Sequence, residues 1–201
     1  MSATLKPKVL FIGYGHLAKS LISKELLSFT NVDALNSKNV IKNVNLKKKI
    51  FKINNDYNYI FLLIRPNIFL NSGSQFQKYL SKNSLIVSCM AGVKLTTIEK
   101  VLKTKKVIRI MPNVMAKKSL SQTFVYSKNK KLLNSNFKSL INSFGSIIFA
   151  SNEDDINLAT AVFGSGPAFI AYIINSYMIA AKKISRKSKI KDIELIELFQ
   201  N

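Results

Sequence analysis

Apolar residues recur along this chain in short runs, each closed by glycine, proline, asparagine or serine. Val9-Leu10-Phe11-Ile12 is the first such run. No polar residue interrupts it, as expected of a strand covered on both faces, and it stops at Gly13-Tyr14-Gly15. The period then changes. Leu17, Leu21, Ile22, Leu26 and Phe29 fall at helical spacing, which predicts one helix over 16–29. Further strands are predicted at 32–35, at 59–64 ending in Arg65-Pro66, at 85–88 ending in Cys89-Met90-Ala91-Gly92, and at 106–110 ending in Met111-Pro112-Asn113. Residues 123–126 alternate as a strand, and 147–150 read as the last one. Helices are expected over 75–80, from a cap at Thr96 or Thr97 to Leu102, and over 132–144 with Gly145 as the C-cap.

Strands and helices thus alternate with short connections, which predicts an α/β fold with a doubly wound parallel sheet and right-handed crossovers. Such a sheet binds ligands outside the carboxyl ends of its strands. The special turns at Gly13-Tyr14-Gly15, Asn36-Ser37-Lys38, Leu63-Ile64-Arg65-Pro66, Cys89-Met90-Ala91-Gly92 and Met111-Pro112-Asn113 would all share that rim. This first domain is expected over residues 1–152.

From residue 153 to 201 the pattern is that of a partial all-α domain. Residues 156–181 carry no charge, a length that could span a membrane. Gly164-Ser165-Gly166-Pro167 breaks the run, and Asn157, Asn175, Ser176 and Tyr177 are polar, so two helices are expected instead. The first covers 154–163, and the second starts with Pro167 at its first position. A short amphipathic helix is expected at 193–199. A helix apolar on nearly all sides must be buried, so this segment is expected either to pack on a second subunit of a homodimer or larger homo-oligomer or to belong to a helical domain of which the sequence holds only part.

Charge changes the picture little. Lysine and arginine number 31 against 10 acidic residues, a net charge of +21. That balance suits nucleic acid or an anionic membrane. The lysines are scattered, however, with small clusters at Lys47-Lys48-Lys49 and Lys105-Lys106. No aromatic-interleaved stripe accompanies them, and arginine, the usual base reader, is confined to Arg65, Arg109 and Arg186. The lysines therefore read as solvated faces that help attract an anionic ligand. Cys89 is the single cysteine, so no internal disulfide can form. Residues 1–8 lack the apolar region of a signal peptide, and a cytoplasmic location is expected.

The turn at Gly13-Tyr14-Gly15 lets backbone N–H groups approach a pyrophosphate, with Ala18 small enough for close helix–strand packing. An acidic residue at the end of the second strand would bind the ribose hydroxyls of NAD. Asn36-Ser37-Lys38 offers amide, hydroxyl and cation instead, which suits the 2′-phosphate of NADP. Asp33 lies at about the NAD spacing but too early in its strand to reach. One histidine, one cysteine and few carboxylates support neither a metal site nor a nucleophilic triad.

Phe11 to Ala18, Leu62 to Pro66, Ser88 to Val93, Arg109 to Asn113 and Glu153 to Phe169, in this order, resemble the motifs of the pyrroline-5-carboxylate reductases. The last of them, similar to the family's GSGPAY signature, is the most specific. The resemblance implies a Rossmann-like domain followed by part of a helical dimerisation domain. It implies reduction of the C=N bond of 1-pyrroline-5-carboxylate to L-proline, with NADP(H) preferred over NAD(H). It places the cofactor on Ile12, Gly13, Tyr14, Gly15, His16 and Leu17, on Ser37 and Lys38, on Leu63, Ile64, Arg65 and Pro66, on Cys89, Met90 and Ala91, and on Asn113. It places the substrate on Glu153, Ser165 and Gly166, and it names no catalytic side chain. Val114-Met115 replace the family's usual Thr-Pro, and Phe163 replaces a usual Ser. The family's Ser-, Pro-, Gly- and Thr-rich carboxylate loop has no counterpart within the sequence. The alternatives are a dinucleotide-binding paralogue without turnover, another dehydrogenase, and, behind them, a basic nucleic-acid-binding module.

Overall fold

The computed structural model describes residues 6–50 and 56–184. The helix expected at 193–199 lies outside the described residues. The chain divides into two units, one running to Gly164 and one starting at Ser165.

The first unit is built on one sheet. Its strands are β1 (Lys8–Ile12), β2 (Asn31–Leu35), β3 (Ile41–Asn43), β4 (Lys48–Ile50), β5 (Tyr59–Leu62), β6 (Leu85–Ser88), β7 (Val107–Met111), β8 (Ser121–Tyr126) and β9 (Gly145–Phe149). They lie in the order β4-β3-β2-β1-β5-β6-β7-β8-β9. The central strands β2, β1, β5, β6 and β7 are parallel, as the unbroken apolar runs predict. β3 and β4 turn back antiparallel beyond β2. On the other side β8 runs antiparallel to β7, and β9 parallel to β8. The chain leaves β1 for β2 on one side and later returns to β5 on the other, so the sheet's switch point lies between β1 and β5.

Strand alternation distributes the core over both faces. Val9 and Phe11 of β1 pack with α1 (His16–Leu21), α2 (Lys24–Phe29) and α5 (Ser135–Asn142). Leu10 and Ile12 pack with α3 (Pro66–Ser72), the 3₁₀ segment Gly73–Tyr79 and α4 (Leu95–Leu102). Phe11 and Phe61 sit with ring centroids 4.8 Å apart, and Phe61 meets Phe144 edge-on at 6.1 Å. Truncating a fully buried phenylalanine of this kind costs about 3–5 kcal/mol.

Several elements differ from the sequence pattern. The helix expected over 16–29 is two helices, because Ser23 caps the second, its Oγ accepting from Leu26 N at 3.0 Å. The lysine-rich hairpin β3–β4 carries no apolar pattern and was not expected. Pro66 does more than stop a strand: it opens α3 as the first helical residue. The segment expected as a helix over 75–80 is 3₁₀ and starts at Gly73. Gly145 is not a helix cap, since α5 ends at Asn142 with Ser143 as its C-cap. It starts β9 with φ +135°, where a Cβ would lie 2.2 Å from the Ser121 carbonyl oxygen.

α6 (Asp154–Ala159) continues as a π-helical turn, Thr160–Gly164, where an α-helix was expected to run to Phe163. Ile156 and Ala159 are buried with Met111 and Ala150, so α6 belongs to the core of the first unit. The second unit contains α7 (Gly166–Ile184), on which Phe169, Ile170, Tyr172 and Ile173 are exposed. Taken together, Asp154–Ala181 is long and apolar enough to cross a membrane by length and composition.

Candidate functional site

The turn after β1 is tied to both neighbouring strands. Gly13 N donates to the Leu35 carbonyl at the end of β2, 3.0 Å away, and Leu63 N donates to Ile12 O at 2.8 Å. Gly13 has φ +101°, and a Cβ there would sit 2.5 Å from the Leu63 carbonyl oxygen. Only glycine allows β1 and the end of β5 to approach this closely. Gly15, the residue before α1, differs: among the described residues nothing lies within 4 Å of its Cβ direction. Two residues apart, one glycine is required by the protein's own packing and the other leaves open space above the start of a helix.

That space belongs to a cavity of about 530 Å³ at the switch point. Of the residues expected at the cofactor, Ile12, Gly13, Tyr14, Gly15, Ser37, Leu63, Ile64 and Arg65 line it. Lys19 Nζ stands 5.7 Å from the centroid of the Tyr14 ring and adds positive charge nearby. The cavity also takes in Asn36, from the turn read as suiting a 2′-phosphate, and Leu35, Asn39, Ile68, Gln75 and Phe76, which the motifs do not point to. Ile68 and Phe76 come from α3 and the 3₁₀ segment behind it. A proline at a helix start was the available signal for that wall.

The turn after β2 is self-supported. Asn36 Oδ1 accepts from Lys38 N at 2.9 Å and from Val40 N at 3.1 Å. The side chains of Ser37 and Lys38 are left exposed. Asp33 is engaged inside the sheet, in keeping with its early strand position. Its carboxylate accepts from Asn43 Nδ2 at 2.7 Å and from the Tyr57 hydroxyl at 2.8 Å. Burial, and then the neighbouring Asp33, push the Tyr57 phenol well above its ordinary range.

The remaining expected cofactor residues lie on or near the same rim but do not line this cavity. His16 is exposed at the start of α1, Leu17 packs half-buried on the core, and Pro66 begins α3. Cys89 and Met90 are buried, while Ala91 is exposed. Burial raises the Cys89 thiol far above its ordinary range, which disfavours its thiolate.

The end of β7 is closed. Arg109, 1% exposed, donates from Nη1 to Glu153 Oε1 at 2.8 Å and from Nη2 to Asn157 Oδ1 at 3.4 Å; its Nε has no partner among the described residues. The same Glu153 oxygen accepts from Leu95 N, the first residue of α4. The cap expected from Thr96 or Thr97 therefore comes from a carboxylate 58 positions later in the chain. Asn113 is also occupied. Its Oδ1 accepts from Met115 N at 3.0 Å, and its Nδ2 donates to the Phe163 carbonyl at 3.3 Å. Both Glu153 and Asn113, expected at ligands, thus bond to the protein itself.

Ser165 and Gly166 lie in the second unit. The Ser165 carbonyl accepts from Ala168 N at 3.0 Å and Phe169 N at 3.2 Å, and so starts α7. Among the described residues no group of histidine, cysteine and carboxylates is placed to hold a metal ion.

No family model matches the chain. Individual proteins do. It is 31% identical to the pyrroline-5-carboxylate reductase of Staphylococcus haemolyticus, over 86% of this chain and 69% of that protein. Its fold is similar to the crystal structure of 1-pyrroline-5-carboxylate reductase from Streptococcus pyogenes, at TM-score 0.69 and 24% identity, covering 96% of this chain and 75% of that one. It is similar, too, to the Plasmodium falciparum pyrroline carboxylate reductase with NADP bound, at TM-score 0.74 and 20% identity over 98% and 76% of the two chains. The structural likenesses carry the Rossmann-like fold, and the sequence identity to the staphylococcal enzyme carries the rest: this chain belongs to the pyrroline-5-carboxylate reductase family.

Proposed function

We propose that this chain reduces the C=N bond of 1-pyrroline-5-carboxylate to give L-proline, with NADPH as the preferred reductant. The observation that carries the reading is the cavity at the β1–β5 switch point, where Gly13 brings the turn against Leu63 and Gly15 leaves its Cβ direction open. That open glycine is where a diphosphate fits, since a side chain would fill the approach to the backbone. In this reading the turn's N–H groups hold the diphosphate. Ser37 and Lys38, exposed at the end of β2 with Asp33 engaged elsewhere, hold a 2′-phosphate. Leu63, Ile64 and Arg65 flank the dinucleotide from β5. When bound, the reduced nicotinamide supplies hydride to the imine carbon, and a proton from solvent balances the reaction. Ser165 and Gly166, at the start of the long helix α7, suit the substrate carboxylate because helix N-terminal amides favour an anion.

The protein's own contribution is then orientation and charge complementarity, which together can supply several kcal/mol of barrier lowering. We further propose a cytoplasmic homodimer or larger homo-oligomer in which exposed Phe169, Tyr172 and Ile173 of α7 are covered by a second copy. Its partners are small molecules, with neither a membrane nor nucleic acid among them. The test is NADPH oxidation by the purified chain with 1-pyrroline-5-carboxylate, proline being measured as product. Turnover with proline formed supports the proposal. NADPH binding without turnover by folded oligomer points instead to a non-catalytic paralogue.

A further inference from the structure

β7 and the residues after it present alternate side chains to one segment. Arg109 and Met111 are two positions apart on the strand, and Asn113 comes next in extended backbone, φ −130° and ψ 177°, so the alternation continues. Each meets a different part of 153–164. Arg109 holds the start, through Glu153 and Asn157. Met111 packs with Ile156 and Ala159 in the middle, and its Sδ lies 3.7 Å from where a Gly164 Cβ would stand. Asn113 holds the end, donating to the Phe163 carbonyl. That carbonyl belongs to the π-helical turn, a geometry that disturbs the ordinary helical hydrogen-bond ladder and recurs at functional sites. Beyond it the Phe163 ring lies on Phe124, centroids 4.9 Å apart.

A buried cation whose Nε is unpartnered is a poor device for stability alone, because desolvation offsets much of the attraction. What such a pair can fix is register. We propose that Arg109, Met111 and Asn113 form a clamp that sets the register of the segment 153–164 on the sheet. In that clamp Asn113 is a positioning residue acting through the Phe163 carbonyl, not a cofactor ligand, and Glu153 is the partner of Arg109 through its Oε1. The consequence for catalysis rests on the proposed reductase function: the clamp fixes the point from which the chain passes to Ser165.

Asn113→Asp isolates the critical bond. It keeps the oxygen that accepts from Met115 N and removes the donor to Phe163. Asn113→Ser keeps an oxygen that can accept from Met115 N on a neutral side chain too short for its hydroxyl to replace the Nδ2 bond to Phe163. For the oligomeric full chain, NADPH affinity is expected to stay within about threefold while KM for 1-pyrroline-5-carboxylate rises about tenfold or more. Amide hydrogen exchange is expected to accelerate at 160–164 and to stay unchanged at 13–15. A tenfold loss of NADPH affinity with unchanged exchange at 160–164 would overturn the clamp in favour of a cofactor contact. Unchanged exchange and unchanged KM would overturn it as well, and so would failure of both variants to fold, which would mark Asn113 as merely structural. If the unaltered chain shows no turnover, the reductase proposal falls, and the exchange experiment still decides the clamp.

Discussion

Two parts of the same sheet rim treat their polar groups in opposite ways. At the β1–β5 switch point Ser37 and Arg65 are exposed on the lining of a cavity, and Lys38 is exposed next to Ser37 in the chain. At the end of β7 the side chains of Arg109 and Asn113 are buried and bonded to α6 and the turn after it. Both parts have the same origin, a parallel strand ending in an irregular turn. They differ in the path of the chain beyond the strand. After β1 the chain enters α1 and α2, which pack on one face of the sheet, and Gly15 faces open space among the described residues. After β7 a later segment returns to cover the rim. An irregular turn at a strand end thus identifies a place where ligand could bind, but the covering segment decides whether its polar groups are available.

The largest test of this contrast is at the open end. Gly13→Ala is expected to weaken NADPH binding by about a hundredfold and to cost about 3 kcal/mol of stability, since a Cβ would press on Leu63 in a strained backbone conformation. Gly15→Ala is expected to leave stability within about 0.5 kcal/mol and still weaken NADPH. Nucleotide titration and thermal melts of the two variants separate the roles; equal stability losses would erase the distinction. At the closed end, Glu153→Gln leaves Arg109 buried without a counter-charge and should cost about 3 kcal/mol. A denaturant midpoint unchanged from that of the parent would show the pair to be idle.

A smaller effect is expected from Lys38→Glu, about five- to tenfold weaker binding of NADPH with NADH little changed, shrinking as salt rises. Equal losses for both nucleotides would place Lys38 away from the 2′-phosphate. The smallest effect concerns Cys89. Burial disfavours its thiolate, so raising the pH to about 8 should leave the native thiol unlabelled by iodoacetamide, with modification appearing only on unfolding. Rapid labelling of folded protein would show that the rim at β6 opens.

The open end is the more legible of the two in the sequence. Unbroken apolar runs announce strands covered on both faces, and glycines between a strand and a helix announce the turn. The lysine-rich β3 and β4 have no apolar period, so nothing in the pattern marks them. Ser23 divides a helix whose apolar spacing continues across the break, a case of local capping prevailing over periodicity. The closed end is less legible for a different reason. Glu153 and Asn113 have the residue types of ligand contacts, and their partners Leu95, Arg109 and Phe163 are distant in sequence. Spacing cannot reveal that a polar side chain has already been claimed by another part of the chain.

The lysines of β4 bear on how this molecule behaves at high concentration. β4 is the last strand on its side of the sheet among the described residues, and Lys48 and Lys49 on it are exposed. A free strand edge is a template for indiscriminate pairing between molecules. Any neighbour's copy of this edge laid alongside would set ammonium groups against one another, which repels the encounter before backbone bonds can form. Part of the excess positive charge would in this way discourage edge-to-edge pairing between molecules.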